Sequence, residues 1–207
     1  QVKPNGVVLH MVSYLNDQIH YTLERSVDAV SLKRLTVVGT IDRQVVFKNN
    51  ANLVNYKAEG SINTATYPCG IMQLTVFDED MSPLAERVIF VNNRKSFGNI
   101  QLKRELVNLD KRARNEISLE IPDSLTTNIS ISVTDGNLGI DSSNNIYSDL
   151  LLTGDLKGDI YDAASYLEHS ENANDRLNLL MLTHGWRRFN WEAVVSGKLP
   201  PLKYLHD

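Results

Sequence analysis

Gly70-Ile71-Met72-Gln73-Leu74-Thr75-Val76-Phe77 leads through Asp78-Glu79-Asp80-Met81-Ser82-Pro83 into a second apolar run, Val88-Ile89-Phe90-Val91. Two β-branched and aromatic stretches on either side of a short acidic loop read as strands joined by a polar hairpin loop. Upstream, Val7-Val8-Leu9-His10-Met11-Val12, His20-Tyr21-Thr22-Leu23, Arg34-Leu35-Thr36-Val37-Val38-Gly39 and Val45-Val46-Phe47 have the same character. Each is short and bounded by Asn, Asp or Gly, and Ile41-Asp42-Arg43-Gln44 reads as a turn between two of them. Six or seven short strands in about 90 residues, without a helical period between them, predict an antiparallel β-sandwich over residues 1–93.

From Arg94 onward the pattern changes. Residues 100–102, 117–121 and 129–134 (Ile129-Ser130-Ile131-Ser132-Val133-Thr134) alternate as strands with one buried face. After Asp135 the period becomes helical. A helix is expected from Asn144 to Gly158, a second from Asp175 to His184, and a short third from Trp191 to Ser196 behind a capping Asn190. The fold class is therefore mainly β, with residues 1–93 as one domain and residues 94–207 as a second, modified sandwich carrying the C-terminal helices. Basic residues cluster early in that second part (Arg94, Lys95, Lys103, Arg104, Lys111, Arg112, Arg114), and acidic ones dominate after it. The aromatic interleaving of single-strand nucleic-acid binders is absent from the basic stretch, which reads as a basic strand-and-loop segment facing the acidic helical segment of the same chain.

Composition narrows the function classes. Of the 207 residues, 42% are hydrophobic and 22% charged, an ordinary globular balance that excludes disordered and low-complexity chains. A net charge of −4 gives no basic excess toward nucleic acid. One cysteine, Cys69, excludes an internal disulfide framework and a cysteine-based zinc cage. No apolar run approaches the roughly 18 residues of a membrane helix. The first residue is Gln, which reads as a processed or excised chain, and Pro200-Pro201 reads as an interdomain linker.

Catalytic constellations are missing from the sequence. The five histidines (His10, His20, His169, His184, His206) form no HExxH pair, and no phosphate-binding glycine loop or GxSxG elbow occurs. Asp78-Glu79-Asp80 and Asp141-Ser142-Ser143-Asn144-Asn145 offer oxygens but lack the order of a calcium loop. Cys69, within Pro68-Cys69-Gly70, has neither a neighbouring cation nor a helix N-terminus and reads as a structural thiol. The expectation is a non-enzyme with no catalytic residue, cofactor or metal. One cluster stands out: Thr183-His184-Gly185-Trp186-Arg187-Arg188-Phe189-Asn190-Trp191. Trp and Arg dominate interface energetics, so Trp186, Arg187, Arg188 and Trp191 are the candidate partner contact. The alternative is that the indoles close a core at a helix end.

That last segment, extended back to Leu179, resembles the "LMLTQGWRR-aromatic-x-W" signature of large Bacteroidetes outer-membrane proteins. In those proteins macroglobulin-like (MG2-type) β-sandwiches precede a TonB-dependent receptor plug. Residues 70–78 with 83–91 resemble the family's "GI-x-QLTLFD … PLAERLVFV", residues 129–135 its "SVSVTD", and Asn145-Ile146 with residues 150–158 its "NI … YLLLSSDLKG". The resemblance runs from about residue 35 to Trp191. His184 stands where the family has Gln, and Met81-Ser82 replaces a glycine-containing turn. Cys69-Gly70-Ile71-Met72 lacks the Glu-Gln that would complete a thioester, so covalent protease trapping is not implied.

The resemblance implies tandem immunoglobulin-like, macroglobulin-type sandwiches acting as a non-catalytic spacer and binding module in the cell envelope. Partners would be other domains of the same full-length protein or another envelope protein, with no nucleic acid and no membrane span in this stretch. Two other classes stay open. A protease-interacting protein would need a bait-like exposed segment, for which residues 137–145 are the candidate. A carbohydrate-binding or hydrolytic module would need a platform of surface aromatics or a carboxylate pair about 5–9.5 Å apart.

Overall fold

The computed structural model describes residues 5–94, 100–121, 128–135, 137, 139, 141–168, 170, 172–184, 193–194 and 196–197. Seven antiparallel strands occupy the first part: β1 (Val7–Leu15), β2 (Gln18–Arg25), β3 (Arg34–Ile41), β4 (Gln44–Asn52), β5 (Lys57–Asn63), β6 (Gly70–Phe77) and β7 (Pro83–Val91). They form two sheets, ordered β1-β2-β5 and β4-β3-β6-β7. Successive side chains on a strand point to opposite faces, so each sheet turns one apolar row inward. Val7, Leu9, Ile19, Tyr21, Leu23 and Ile62 of the first sheet share one core with Leu35, Val37, Met72, Leu74, Val76, Ile89 and Val91 of the second. The expected mainly β, antiparallel architecture is what the chain adopts.

Local chemistry sets the connections. Asn16-Asp17, Asp42-Arg43 and Asn55-Tyr56 each have positive φ at both residues, the primed turn that matches the right-handed twist of paired strands. The pairs Leu15–Gln18, Ile41–Gln44 and Val54–Lys57 bracket these turns. Asn and Asp tolerate this backbone best among non-glycine residues, which explains their place at the first position of all three. In the β6–β7 loop, Asp78 Oδ1 accepts the backbone N–H groups of Asp80 (3.0 Å) and Ser82 (2.7 Å), and Met81 takes a positive φ of 59°. β5, which no apolar run announces, is held by pairing: Gly60 lies opposite Tyr21, whose ring fills the space a side chain would need.

Strand β6 is buried on both faces. Its core side carries Met72, Leu74 and Val76; its other side carries Gln73 and Thr75, next to Val88 and Phe90 of β7. A two-layer sandwich would leave that second face wet. Residues 141–184 cover it with α1 (Ile146–Ser148), a π turn (Asp149–Thr153), a 3₁₀ turn (Ala163–Leu167) and α2 (Ala173–Thr183). The π turn packs on β6 and α2 packs on β7, with Leu152, Leu156, Leu167, Leu177, Leu180 and Met181 buried.

The chain accordingly divides into one compact unit of residues 1–93 with 141–207, and another of residues 94–140. The helical segment, assigned from sequence to the second domain, returns to the first, where β6 is buried on both faces and Val88 and Phe90 of β7 are buried opposite its core row.

That layer also differs in detail from the continuous helix expected from Asn144. Asn145 is the cap: its Oδ1 accepts the Ser148 N–H (3.0 Å), and its own N–H donates to Ser148 Oγ (2.8 Å), a reciprocal capping box. After one turn the backbone widens, and Gly154 N–H closes on the Asp149 carbonyl (2.9 Å). The second expected helix is α2; the third, residues 191–196, lies mostly outside the described residues. In the unit of residues 94–140, β8 (Gln101–Leu106) pairs with β9 (Glu116–Glu120) as a two-stranded ribbon. Residues 129–134, expected as a strand, join no sheet among the described residues. No helix among the described residues is long and apolar enough to cross a membrane.

Candidate functional site

The candidate contact residues Trp186, Arg187, Arg188 and Trp191 lie outside the described residues, as does Lys95 of the basic cluster. What the structure does describe is the mount from which that segment departs, helix α2. β1 and β7 are edge strands of the two sheets, and their edges are tied by Tyr14. The Asn92 N–H donates to the Tyr14 hydroxyl (3.0 Å), and the Thr64 hydroxyl donates to the Asp17 carbonyl (2.9 Å). With the proton of Thr64 so committed, the contact between Tyr14 and Thr64 (3.2 Å) is made by the phenol donating. Burial pushes the Tyr14 phenol pKa up, against the opposing pull of its bonds to Thr64 and Asn92. Asn93 Nδ2 adds bonds to the carbonyls of Thr64 (2.9 Å) and Tyr67 (2.6 Å), fastening the end of β7 to the loop before β6.

α2 seats on this tied edge. Leu177 lines a small cavity together with Met11, Tyr14, Ile89, Phe90, Asn174 and Asn178. Asn92 Nδ2 donates to Asn174 Oδ1 (3.0 Å) and Arg87 Nη2 to Asn178 Oδ1 (2.7 Å). Arg87 has the parity of the core residues Leu74, Ile89 and Val91, and burial lowers its pKa from the ordinary arginine value. Its Nε finds no partner, so the Asn178 bond carries much of the compensation for burying this cation. Arg176 braces the other side, its guanidinium 5.0 Å over the Tyr166 ring and donating to Ser165 Oγ (2.8 Å). At the C-terminus the Thr183 hydroxyl donates back to the Leu180 carbonyl (3.0 Å). Opposite the seated face, Leu179 and Leu182 are exposed.

These polar seats were not found from sequence. A signal for one existed: Arg87 interrupts the apolar parity of Ala85, Ile89 and Val91, the mark of an edge position met by another element.

Elsewhere, side chains weighed for chemistry have structural work. His10 and His20 stand on the exposed face of the first sheet, opposite Thr22 and Ser13. The Asp78 carboxylate holds its own hairpin loop. Asp141 Oδ1 accepts the Ser143 N–H (2.9 Å), and hydrogen bonding from Ser143 holds its carboxyl below the usual range. The Cys69 thiol is buried at the start of β6. In the basic stretch, Lys103 pairs with Glu120 and Arg114 with Glu116 (2.9 Å), all within the ribbon. Among the described residues no group of three or more His, Cys, Asp or Glu side chains is placed to hold a metal ion. No protein-family model matches this sequence, and no curated protein matches it either.

Proposed function

We propose that this chain is a non-catalytic, extracytoplasmic binding and spacer module of a TonB-receptor-like outer-membrane protein, with a macroglobulin-type sandwich as its framework. One observation carries the reading. Three of the four stretches that resemble that family are far apart in sequence and adjacent in the fold; the fourth, residues 129–135, belongs to the other unit. Residues 70–77 and 83–91 are the β6–β7 hairpin, residues 150–158 include the π turn that packs on β6, and residues 179–183 end the helix that packs on β7. The sheet orders β1-β2-β5 and β4-β3-β6-β7 support the same reading, since immunoglobulin-like sandwiches also split seven strands three and four, although the constant-type domain places its fourth strand in the other sheet. In this account the third layer stiffens the hairpin, and α2 presents the Trp186, Arg187, Arg188 and Trp191 cluster to another envelope protein.

The test is capture from detergent-solubilised outer membranes on the purified 207-residue chain, with captured proteins identified by mass spectrometry. A Trp186→Ala/Arg187→Ala variant with unchanged circular dichroism is the control. A defined envelope protein retained by the wild type and lost from the variant is the expected result. Equal capture by both, or capture of nothing above background, refutes the recognition role.

A further inference from the structure

The unit of residues 94–140 holds two apolar surfaces that its own sheet leaves open. One is a face of the β8–β9 ribbon. Directly opposed residues share a face, so Leu102 with Leu119 and Arg104 with Ile117 project to one side, while Lys103 and Glu120 pair on the other. Ile100, just before β8, has the parity of Leu102; Ile100, Leu102 and Ile117 are 50%, 58% and 58% exposed. The second surface is residues 129–134. Ile129, Ile131 and Val133 share one parity at 45%, 69% and 89% exposure, and Asp135 continues it. A two-stranded ribbon is marginal alone, and an alternating segment with unpaired backbone groups is a template for strand addition.

The two surfaces match. Ile100, Leu102 and Arg104 repeat the order apolar, apolar, charged that Ile131, Val133 and Asp135 follow, with opposite charges at the last position. The Arg104 side chain has no ion-pair or hydrogen-bond partner among the described residues. Asp135 uses Oδ1 to accept the Asn137 N–H (2.9 Å) and side-chain amide (3.0 Å), which leaves Oδ2 open. We propose that residues 129–135 of one copy add in parallel to the open β8 edge of a second copy, and reciprocally. Ile131 then lies beside Ile100, Val133 beside Leu102, and Asp135 beside Arg104.

Charge complementarity selects the second copy. Each chain carries both halves of the match, the halves are unpaired among the described residues of one chain, and a two-fold exchange fills the open β8 edge of each copy with one geometry. Asp135 against Arg104 fixes the register, because a one-residue slip turns the whole apolar set to the other face.

Sedimentation equilibrium of the 207-residue chain over a range of concentrations tests this with Arg104→Glu and Asp135→Arg, both at exposed positions. The wild type dimerises. Each variant alone places like charges together at both contacts and weakens the dimer by about tenfold or more. An equimolar mixture of the two variants restores opposite charges at both contacts and restores the dimer. A wild type that stays monomeric, a dimer unmoved by either variant, or a mixture that stays weak overturns the proposal; the last outcome is what pairing within a single chain gives.

Discussion

Leu177→Ala removes the side chain that seats α2 on the sandwich. Leu177 is 2% exposed and lines a small cavity with Met11, Tyr14, Ile89 and Phe90, residues from both sheets. Losing its three outer carbons forfeits about 2 kcal/mol of transfer free energy at about 0.8 kcal/mol per buried CH₂. A cavity term adds to that, because β1 and β7 are tied through Tyr14 and Asn92 and do not collapse into the gap. The expected loss is about 3 kcal/mol, within the roughly 2–5 kcal/mol range of buried Leu→Ala changes. For a unit of this size that lowers Tm by about 6–12 °C. Leu179→Ala, two residues on, is the control: at 61% exposure it shifts stability by less than about 0.5 kcal/mol.

Urea unfolding supplies the assay, with two probes. Tryptophan fluorescence reads the segment after α2, because Trp186 and Trp191 are the only tryptophans. Far-ultraviolet circular dichroism reads the strands. One cooperative unit requires both curves to move together in Leu177→Ala. A fluorescence curve that shifts while the strand signal stays in place, or a loss below about 1 kcal/mol, refutes the seating of α2 on this sandwich.

Other expectations rest on separate contacts. A Cβ on Gly60 would sit 2.3 Å from Tyr21 Cζ, in a ring already packed edge-on to Phe47. Gly60→Ala therefore costs about 1–3 kcal/mol in urea melts, and the cost largely disappears in a Tyr21→Leu background; an equal cost in both backgrounds contradicts the clash. Thr75 Oγ1 and Gln73 Nε2 are buried under the third layer without partners, at 1% and 6% residue exposure. Removing the orphaned hydroxyl in Thr75→Val raises stability by about 1 kcal/mol, and a loss of that size would mean that the hydroxyl is bonded. Lys57 lies 2.7 Å from Glu24 and, by hydrogen bonding first and charge second, holds the Glu24 carboxyl below its ordinary value of 4.5. The folded pKa is the lower one, so this pair's contribution is complete above the ordinary carboxylate range and is lost as pH falls through the folded value. Titration followed by NMR should place the Glu24 midpoint below 4.5 and return it upward in Lys57→Met; an unmoved midpoint refutes the pairing.

The strands with dense β-branched or aromatic runs were legible because burial on a sheet face demands such runs. β1, β2, β3, β4, β6 and β7 all grew from segments read in advance, lengthened at their ends by backbone pairing that composition does not encode. β5 was hidden for a physical reason: Lys57–Asn63 offers only Ala58 and Ile62 to the core, and Gly60 yields its space to Tyr21. The paired state of residues 129–134 was overestimated because alternation specifies a face and not a neighbour. The destination of the helical segment was legible only in hindsight. Val88 and Phe90, interleaved with Ile89 and Val91, already require cover on both sides of β7. Of the candidate site, sequence located the aromatic-basic cluster, whereas its mount through Arg87, Asn92, Asn174 and Asn178 depends on long-range pairs that local pattern does not reveal.

Native-state hydrogen exchange over the 207-residue chain tests the central claim most directly, because it reads the opening free energy of each element in one experiment. If residues 141–184 are the third layer of the first sandwich, amides of α2 and of the β6–β7 hairpin open with the same free energy and respond together to Leu177→Ala. The β8–β9 ribbon opens at its own, lower value. If α2 instead exchanges together with the ribbon, and β6–β7 stays protected when α2 opens, the helical segment belongs with residues 94–140 and the account of how the aromatic-basic cluster is mounted is wrong.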